Sequence, residues 1–240
     1  MTAAMEADEY DKMHAVEERM WWYRGLHANL LGQLARHARP DAATLDAGCG
    51  TGGLLKQLGR GAVGLDYAPI AARYAHARSG RPVVVGSIND LPFSAGAFAA
   101  VVSADVLANR SVDEGKALAE IHRCLGPDGI VILNLPAYGW LASDHDRRVH
   151  QVRRYTRRRL SDLLGAAGFR AIFTTYWNTI LFPLMVLRRL LFAGSGGDVR
   201  LLPGPVEAIF RTAVSIESRL IARGLALPFG GSVLAVGVKD

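Results

Sequence analysis

The stretch Ala43-Thr44-Leu45-Asp46-Ala47-Gly48-Cys49-Gly50-Thr51-Gly52-Gly53 restricts this chain more than any other. A short apolar run passes into a cluster of glycines, the pattern of a buried strand that ends in a tight loop and opens a helix. Glycine lets the backbone turn sharply and approach a ligand without a Cβ, and a helix N-terminus favours negative groups. Gly48, Gly50 and Gly53 also fit the GxGxxG spacing of dinucleotide sites, which is weak evidence alone. Asp66 ends the next apolar run, Gly61-Ala62-Val63-Gly64-Leu65-Asp66. A carboxylate there is able to accept both hydroxyls of an adenosine ribose, so loop and acid together say more than either does.

The rest of the chain alternates. Strands are predicted at 61–66, 81–86, 98–104, 130–136 and 169–177, and the final 232–239 alternates well enough to be a seventh. Helices are predicted over 68–78, 113–125 and 157–167, and residues 10–38 carry helical spacing that ends before Pro40. Short strands that are apolar on both faces, separated by helices, specify a parallel sheet covered on both sides. The expected architecture is one α/β domain with a Rossmann-like, seven-stranded, mostly parallel sheet. It divides into a helical lid (1–40), a core (41–178), a helical insertion (179–228) and the last strand (229–240).

Composition excludes several classes. Half of the 240 residues are hydrophobic and 21% are charged, enough to bury a real core and unlike a disordered chain. Two cysteines, Cys49 and Cys124, do not make a disulfide framework or a zinc site, and no metal site is expected. The acidic start lacks the apolar core of a signal peptide, and Ile180–Phe192, the most apolar stretch, is too short and too charged to span a bilayer. The expectation is a cytoplasmic protein that touches a membrane at most peripherally. The formal charge of +6 is nearly all arginine on its basic side.

Asp46 decides between readings of the loop. Just before the glycines it sets a negative charge where a dinucleotide needs its pyrophosphate, whereas a sulfonium ligand with an ammonium group welcomes it. The later segments GSINDLPF, FAAVVSADVL and LGPDGIVILNLP follow LDAGCGTGG and VGLD in order. In these five segments, over roughly residues 43–178, the chain resembles the class I S-adenosylmethionine-dependent methyltransferases. The resemblance implies S-adenosylmethionine as cofactor and a last strand that runs antiparallel. It implies that Gly48, Gly50 and Gly52 wrap the methionine portion with Asp46 near its ammonium group. Asp66 would hold the ribose, Tyr67 would lie on the adenine side, and Ser87 and Ile88 would edge and cover the adenine. Ser103 and Ala104 would offer backbone to the amino-acid end. Ser87 departs from a frequent Asp, Ala99 from another, and Leu107-Ala108-Asn109 from a leucine followed by a histidine pair.

Methyl transfer is a displacement at an activated methyl group, so the protein must align the acceptor, exclude water and remove a proton from a hydroxyl or amine. His145 and His150 are the sequence's candidates for that base, with Asp144 or Asp146 to orient them. Seven arginines between Arg147 and Arg159 suggest an anionic substrate or lipid head group, against the plainer reading of a solvated helix entry. In the N-terminal segment the resemblance implies that Tyr23 or Arg24 reaches the cofactor's carboxylate, against the plainer reading that Trp21 and Trp22 only pack the helix on the sheet. The apolar, arginine-dotted insertion fits a cap over an apolar substrate, an amphipathic membrane contact or a homodimer face. The expected function is methyl transfer to a hydroxyl, carboxylate or amine of a lipid-like or apolar small molecule. Nucleic acid is disfavoured as a partner, having no recognition motif here. The rivals are a nicotinamide-dependent oxidoreductase and a non-catalytic, membrane-associated binding protein of the same fold.

Overall fold

The computed structural model describes residues 7–39, 41–142, 144–191 and 201–240. Strands β1 (Thr44–Ala47), β2 (Val63–Asp66), β3 (Val83–Val85), β4 (Phe98–Ala104), β5 (Leu125–Pro136), β6 (Phe169–Trp177) and β7 (Ser232–Lys239) form one sheet. Their order is β3-β2-β1-β4-β5-β7-β6. β1 to β5 pair in parallel, and β7 runs antiparallel to both β5 and β6, with Leu133 opposite Ala235. The order reverses between β1 and β4. Ligands of open parallel sheets bind beyond the carboxyl ends at such a reversal.

Helices cover both faces: α1 (Ala7–Val16), α2 (Trp21–His37), α3 (Pro69–Ser79), α4 (Glu114–Cys124), α5 (Asp144–Arg148), α6 (Arg157–Ala166), α7 (Phe182–Leu191) and α8 (Gly204–Ala222). Alternate strand residues point to opposite sides. On one side Val101 and Leu133 pack with Leu118, Ile121, Leu160 and Leu164 of α4 and α6. On the other, Val102 and Ile132 pack with Leu26, Leu30, Val214 and Ile221 of α2 and α8. A Cβ at Gly25 would collide with Val214, so α2 and α8 approach as closely as they do because Gly25 has none.

Two predicted helices differ. The helix expected over 10–38 breaks at residues 17–20, where Glu17 turns away to bond the glycine loop instead of continuing an exposed face. The helix expected after the loop is one 3-10 turn, Leu55–Gln57, because Gly59-Arg60-Gly61 stops it at once. The loop therefore has no helix dipole behind it, and its binding character rests on side chains. Within the insertion, residues 192–200 lie outside the described residues, as do Pro40 and Ser143.

Candidate active site

The ends of β1, β2 and β4 open into a cavity of about 780 Å³. The glycine loop forms one wall. Gly48, Gly50 and Gly52 all have left-handed backbones, at φ of 89°, 53° and 86°. A Cβ on Gly52 would stand 2.6 Å from the Cα of Ala75, so this glycine presses the loop onto α3 and does not itself line the cavity. Gly48 and Gly50 do line it.

Asp46 and Asp66 flank the loop, both buried. The Gly50 N–H donates to Asp66 Oδ2 at 2.9 Å and the Ala68 N–H to Oδ1 at 2.9 Å, so Asp66 holds the loop's shape while facing the cavity. Burial pushes its carboxyl up to about 6, against the pull of these backbone donors. Asp46 Oδ2 has no hydrogen-bond partner. Burial, then the charges of Glu17 and Asp66, push the Asp46 carboxyl up to about 8. A buried acceptor left without a donor is costly, and a cationic donor arriving in the cavity relieves it. Asp46 and Asp66, which ionise more readily beside a positive charge, suit a cationic ligand better than a pyrophosphate.

Tyr67, Ser87, Ile88 and Ala104 also line the cavity, with Ile88 buried and Tyr67 exposed at the rim. Ser103 stands behind the wall: its hydroxyl donates to the Ala47 carbonyl at 2.8 Å and ties β4 to β1. The residue after Ala104 was not singled out from the sequence, although VVSADVL displays it. Asp105 is half-buried, has a left-handed backbone (φ 61°) and lines the cavity. Its N–H donates to the Asn134 carbonyl at 2.7 Å, and Asn134 Nδ2 donates to its carboxylate at 3.2 Å. Burial pushes this carboxyl up to about 7, against Arg154 and Asn134. An acid that titrates near neutrality in a cavity wall is able to take a proton there.

The segment after β5 contributes Asp146, Val149, Gln151 and Arg154 to the same wall. His150 has a left-handed backbone (φ 55°), and its carbonyl accepts the Arg110 N–H at 2.9 Å; its own side chain is not among the lining groups. His145 lies in α5, and its side chain is outside the described residues. The arginine cluster is largely turned to internal work. Arg154 grips Asp146 with two bonds of 2.9 Å and the Ala137 carbonyl with a third of 2.8 Å. Arg153 binds the Leu107 and Asn109 carbonyls, Arg159 binds Glu114 and lies over Tyr155, and Arg157 lies over Tyr176.

Helices form the roof. On one side Tyr10, Met13, Met20 and Tyr23 face the cavity, while Arg24 is exposed. Trp22 packs on Trp177 with ring centres 5.8 Å apart, and Trp21 meets Phe210 edge-on at 5.4 Å. Glu17, also in the wall, fastens this side. It is buried, accepts from the Thr51 hydroxyl and the Gly53 N–H, and pairs with Arg78. Burial pushes its carboxyl above the usual range, against those three partners. On the other side Leu181, Leu184, Leu187, Leu202, Val206 and Phe210 of the α7–α8 region make an apolar lining.

Residues 45–133 match a family described as a methyltransferase domain. An uncharacterized protein of Methanocaldococcus jannaschii is 31% identical over 128 residues, which cover 52% of this chain and only about half (49%) of that protein. A malonyl-[acyl-carrier protein] O-methyltransferase of Serratia marcescens is 29% identical over 198 residues, covering 77% of this chain and 72% of the relative. Among solved structures, geranyl diphosphate C-methyltransferase of Streptomyces coelicolor, in complex with Mg2+, geranyl diphosphate and S-adenosyl-L-homocysteine, shares the fold. It has a TM-score of 0.62 at 17% identity and covers 91% of this chain and 79% of its own.

Proposed function

We propose that this chain, which matches a methyltransferase domain over residues 45–133 and has the class I fold, is an S-adenosylmethionine-dependent methyltransferase that methylates a hydroxyl, carboxylate or amine of a lipid-like, apolar small molecule. The observation that carries the cofactor half is Asp46: a buried carboxylate oxygen without a partner, beside Asp66 and Glu17, suits the ammonium and sulfonium charges of S-adenosylmethionine. The acceptor half rests on the apolar α7–α8 lining at the other end of the same cavity.

In this reading Asp46 accepts from the cofactor's ammonium group, Gly48, Gly50 and Gly52 shape the wall around its methionine portion, and Asp66 accepts from the ribose. Tyr67, Ser87 and Ile88 border the adenine, and the backbone of Ser103 and Ala104 faces the amino-acid end. The cofactor, when bound, supplies an electrophilic methyl group; the chain's own work is to align the acceptor in a dry cavity and, for a hydroxyl or amine, remove its proton. Asp105 is the group suited to take that proton, since it lines the cavity and titrates near neutrality. His145 and His150 remain the sequence's candidates for the same duty. An acceptor carboxylate needs no base at all. The arginines of residues 147–159 give an anionic acceptor little support, because Arg153, Arg154, Arg157 and Arg159 already hold internal partners.

Isothermal titration with S-adenosylhomocysteine tests the cofactor half, with NADH as the control ligand. Binding of the first and not the second is expected. NADH binding alone would sink the reading. Labelled methyl transfer to paired long-chain alcohols, amines and fatty acids tests the acceptor half, with water-soluble short-chain counterparts expected to react poorly.

A further inference from the structure

The roof that lines the cavity also has an outer surface, and its composition is lopsided. Along α8, Ile209, Thr212, Ile216, Arg219 and Arg223 follow at helical spacing and are all exposed, Ile209 at 65% and Ile216 at 47%. The opposite stripe holds Val214 and Ile221 in the core together with Glu207 and Glu217, the only acids of the helix. Glu207 is turned inward to accept the N–H groups of Trp21 and Leu202, and Glu217 accepts those of Thr179 and Ile180. Every acid of α8 is thus engaged inside, and what faces outward is apolar and cationic.

Other elements at this end of the cavity are exposed and apolar as well. Leu184 and Leu187 of α7 are about half exposed, at 50% and 51%, and both line the cavity. Val206 at the start of α8 is likewise exposed outside and part of the lining within. At the start of α7, Phe182 packs between Trp140 and Phe229, and those two rings are exposed. Aliphatic side chains, exposed aromatic rings and arginines around the cavity's apolar end are the composition of a surface that sits at a bilayer interface.

We propose that the α7–α8 face docks on an anionic lipid surface, with the mouth between Leu184, Leu187 and Val206 opening onto the acyl region. Charge selects this occupant over a second copy of the chain. An identical α8 stripe brings its own arginines and no acid, so it offers Arg219 and Arg223 no carboxylate to pair with. Anionic head groups complement the same arginines. The docking stands apart from the methyl-transfer reading; only its consequence, that an apolar acceptor enters laterally from the bilayer, rests on that reading.

The test is flotation of the full chain with vesicles of phosphatidylglycerol and phosphatidylcholine in equal parts, against vesicles of phosphatidylcholine alone. The anionic vesicles are expected to carry about tenfold more protein and to release it as salt is raised. The double variant Ile209→Asp/Ile216→Asp is expected to stay at the bottom of the gradient while binding S-adenosylhomocysteine as the wild type does, since neither side chain lines the cavity. Arg219→Glu/Arg223→Glu, at exposed positions that leave the packing intact, supplies a second disruption and is expected to abolish the preference for anionic vesicles. Failure to float, equal flotation on both vesicle types, or variants that float like the wild type would each overturn the proposal. So would light scattering that finds a dimer split by these variants in a chain that ignores vesicles. Flotation without any S-adenosylhomocysteine binding would keep the docking and remove the methyl-transfer reading instead.

Discussion

Asp46 carries a charge problem that ligand binding resolves, and its pH dependence has a definite sign. In the free protein its carboxyl is held at about 8, against an ordinary carboxylate value of 3.8. The folded state therefore keeps a proton that the unfolded chain gives up, and this contribution to stability is lost as pH rises toward 8. A cationic ligand reverses the preference, because it favours the ionised form. S-adenosylhomocysteine is expected to bind with proton release at pH 7, visible as a dependence of the binding heat on the buffer's ionisation enthalpy. Its affinity should rise between pH 6 and 8, and Asp46→Asn should flatten most of that slope. If Asp66 holds the ribose as proposed, Asp66→Asn loses one charged acceptor worth about 1.5–3 kcal/mol, and S-adenosylhomocysteine affinity should fall about 10- to 100-fold. Asp105→Asn keeps the shape of the wall and removes the base. It is expected to slow transfer to hydroxyl and amine acceptors by about 10²- to 10⁴-fold, with fatty-acid acceptors and S-adenosylhomocysteine affinity unchanged. At this scale the sequence was informative where an acid stood beside a recognised turn, as at Asp46 and Asp66. Asp105 follows Ser103 and Ala104 directly in the sequence, but only its left-handed backbone and its place in the wall separate it from a surface acid.

Among the elements, strands were the most legible, because β4 and β5 are apolar on both faces and admit few other readings. Breaks in helices were not, because their causes lie far along the chain. The pause at residues 17–20 exists for Glu17, whose partners are Thr51, Gly53 and Arg78, and no local pattern announces such a contact. Glu17→Ala leaves Arg78 buried without its partner, a change that costs about 3–5 kcal/mol. A lower melting temperature is expected, with faster hydrogen exchange across residues 7–20. The stunted helix after the glycine loop, by contrast, has a local cause, since Gly59 and Gly61 follow the single turn Leu55–Gln57 within four residues. Gly25 offers a complementary test. Gly25→Val drives a side chain into Val214 and should cost about 1–3 kcal/mol by overpacking, with α2 and α8 losing protection together.

For the molecule as a whole, the strand count and the reversed last strand follow the expected plan, while the joining of the two helical additions does not appear in any linear pattern. The lid and the insertion lie far apart in sequence, yet Trp21 donates to Glu207 and Gly25 admits Val214. Sequence periodicity reports which face of a helix is apolar but never which other helix will meet it. Saturation with S-adenosylhomocysteine at about 100 times its Kd should stabilise the fold by about 2.7 kcal/mol, read as a rise in melting temperature. Hydrogen exchange should slow over α2 and α8 alike, since they share a joint.

That joint has a kinetic consequence. If the two helices joined at Trp21–Glu207 and Gly25–Val214 move as one piece, the proposed cofactor and acceptor are expected to enter and leave in a linked order. Steady-state rates should give intersecting lines rather than the parallel lines of a shuttle, and excess acceptor should slow the escape of the spent cofactor. The contact between Gly25 and Val214 would then act as a timing element, setting the sequence of departures in each turnover.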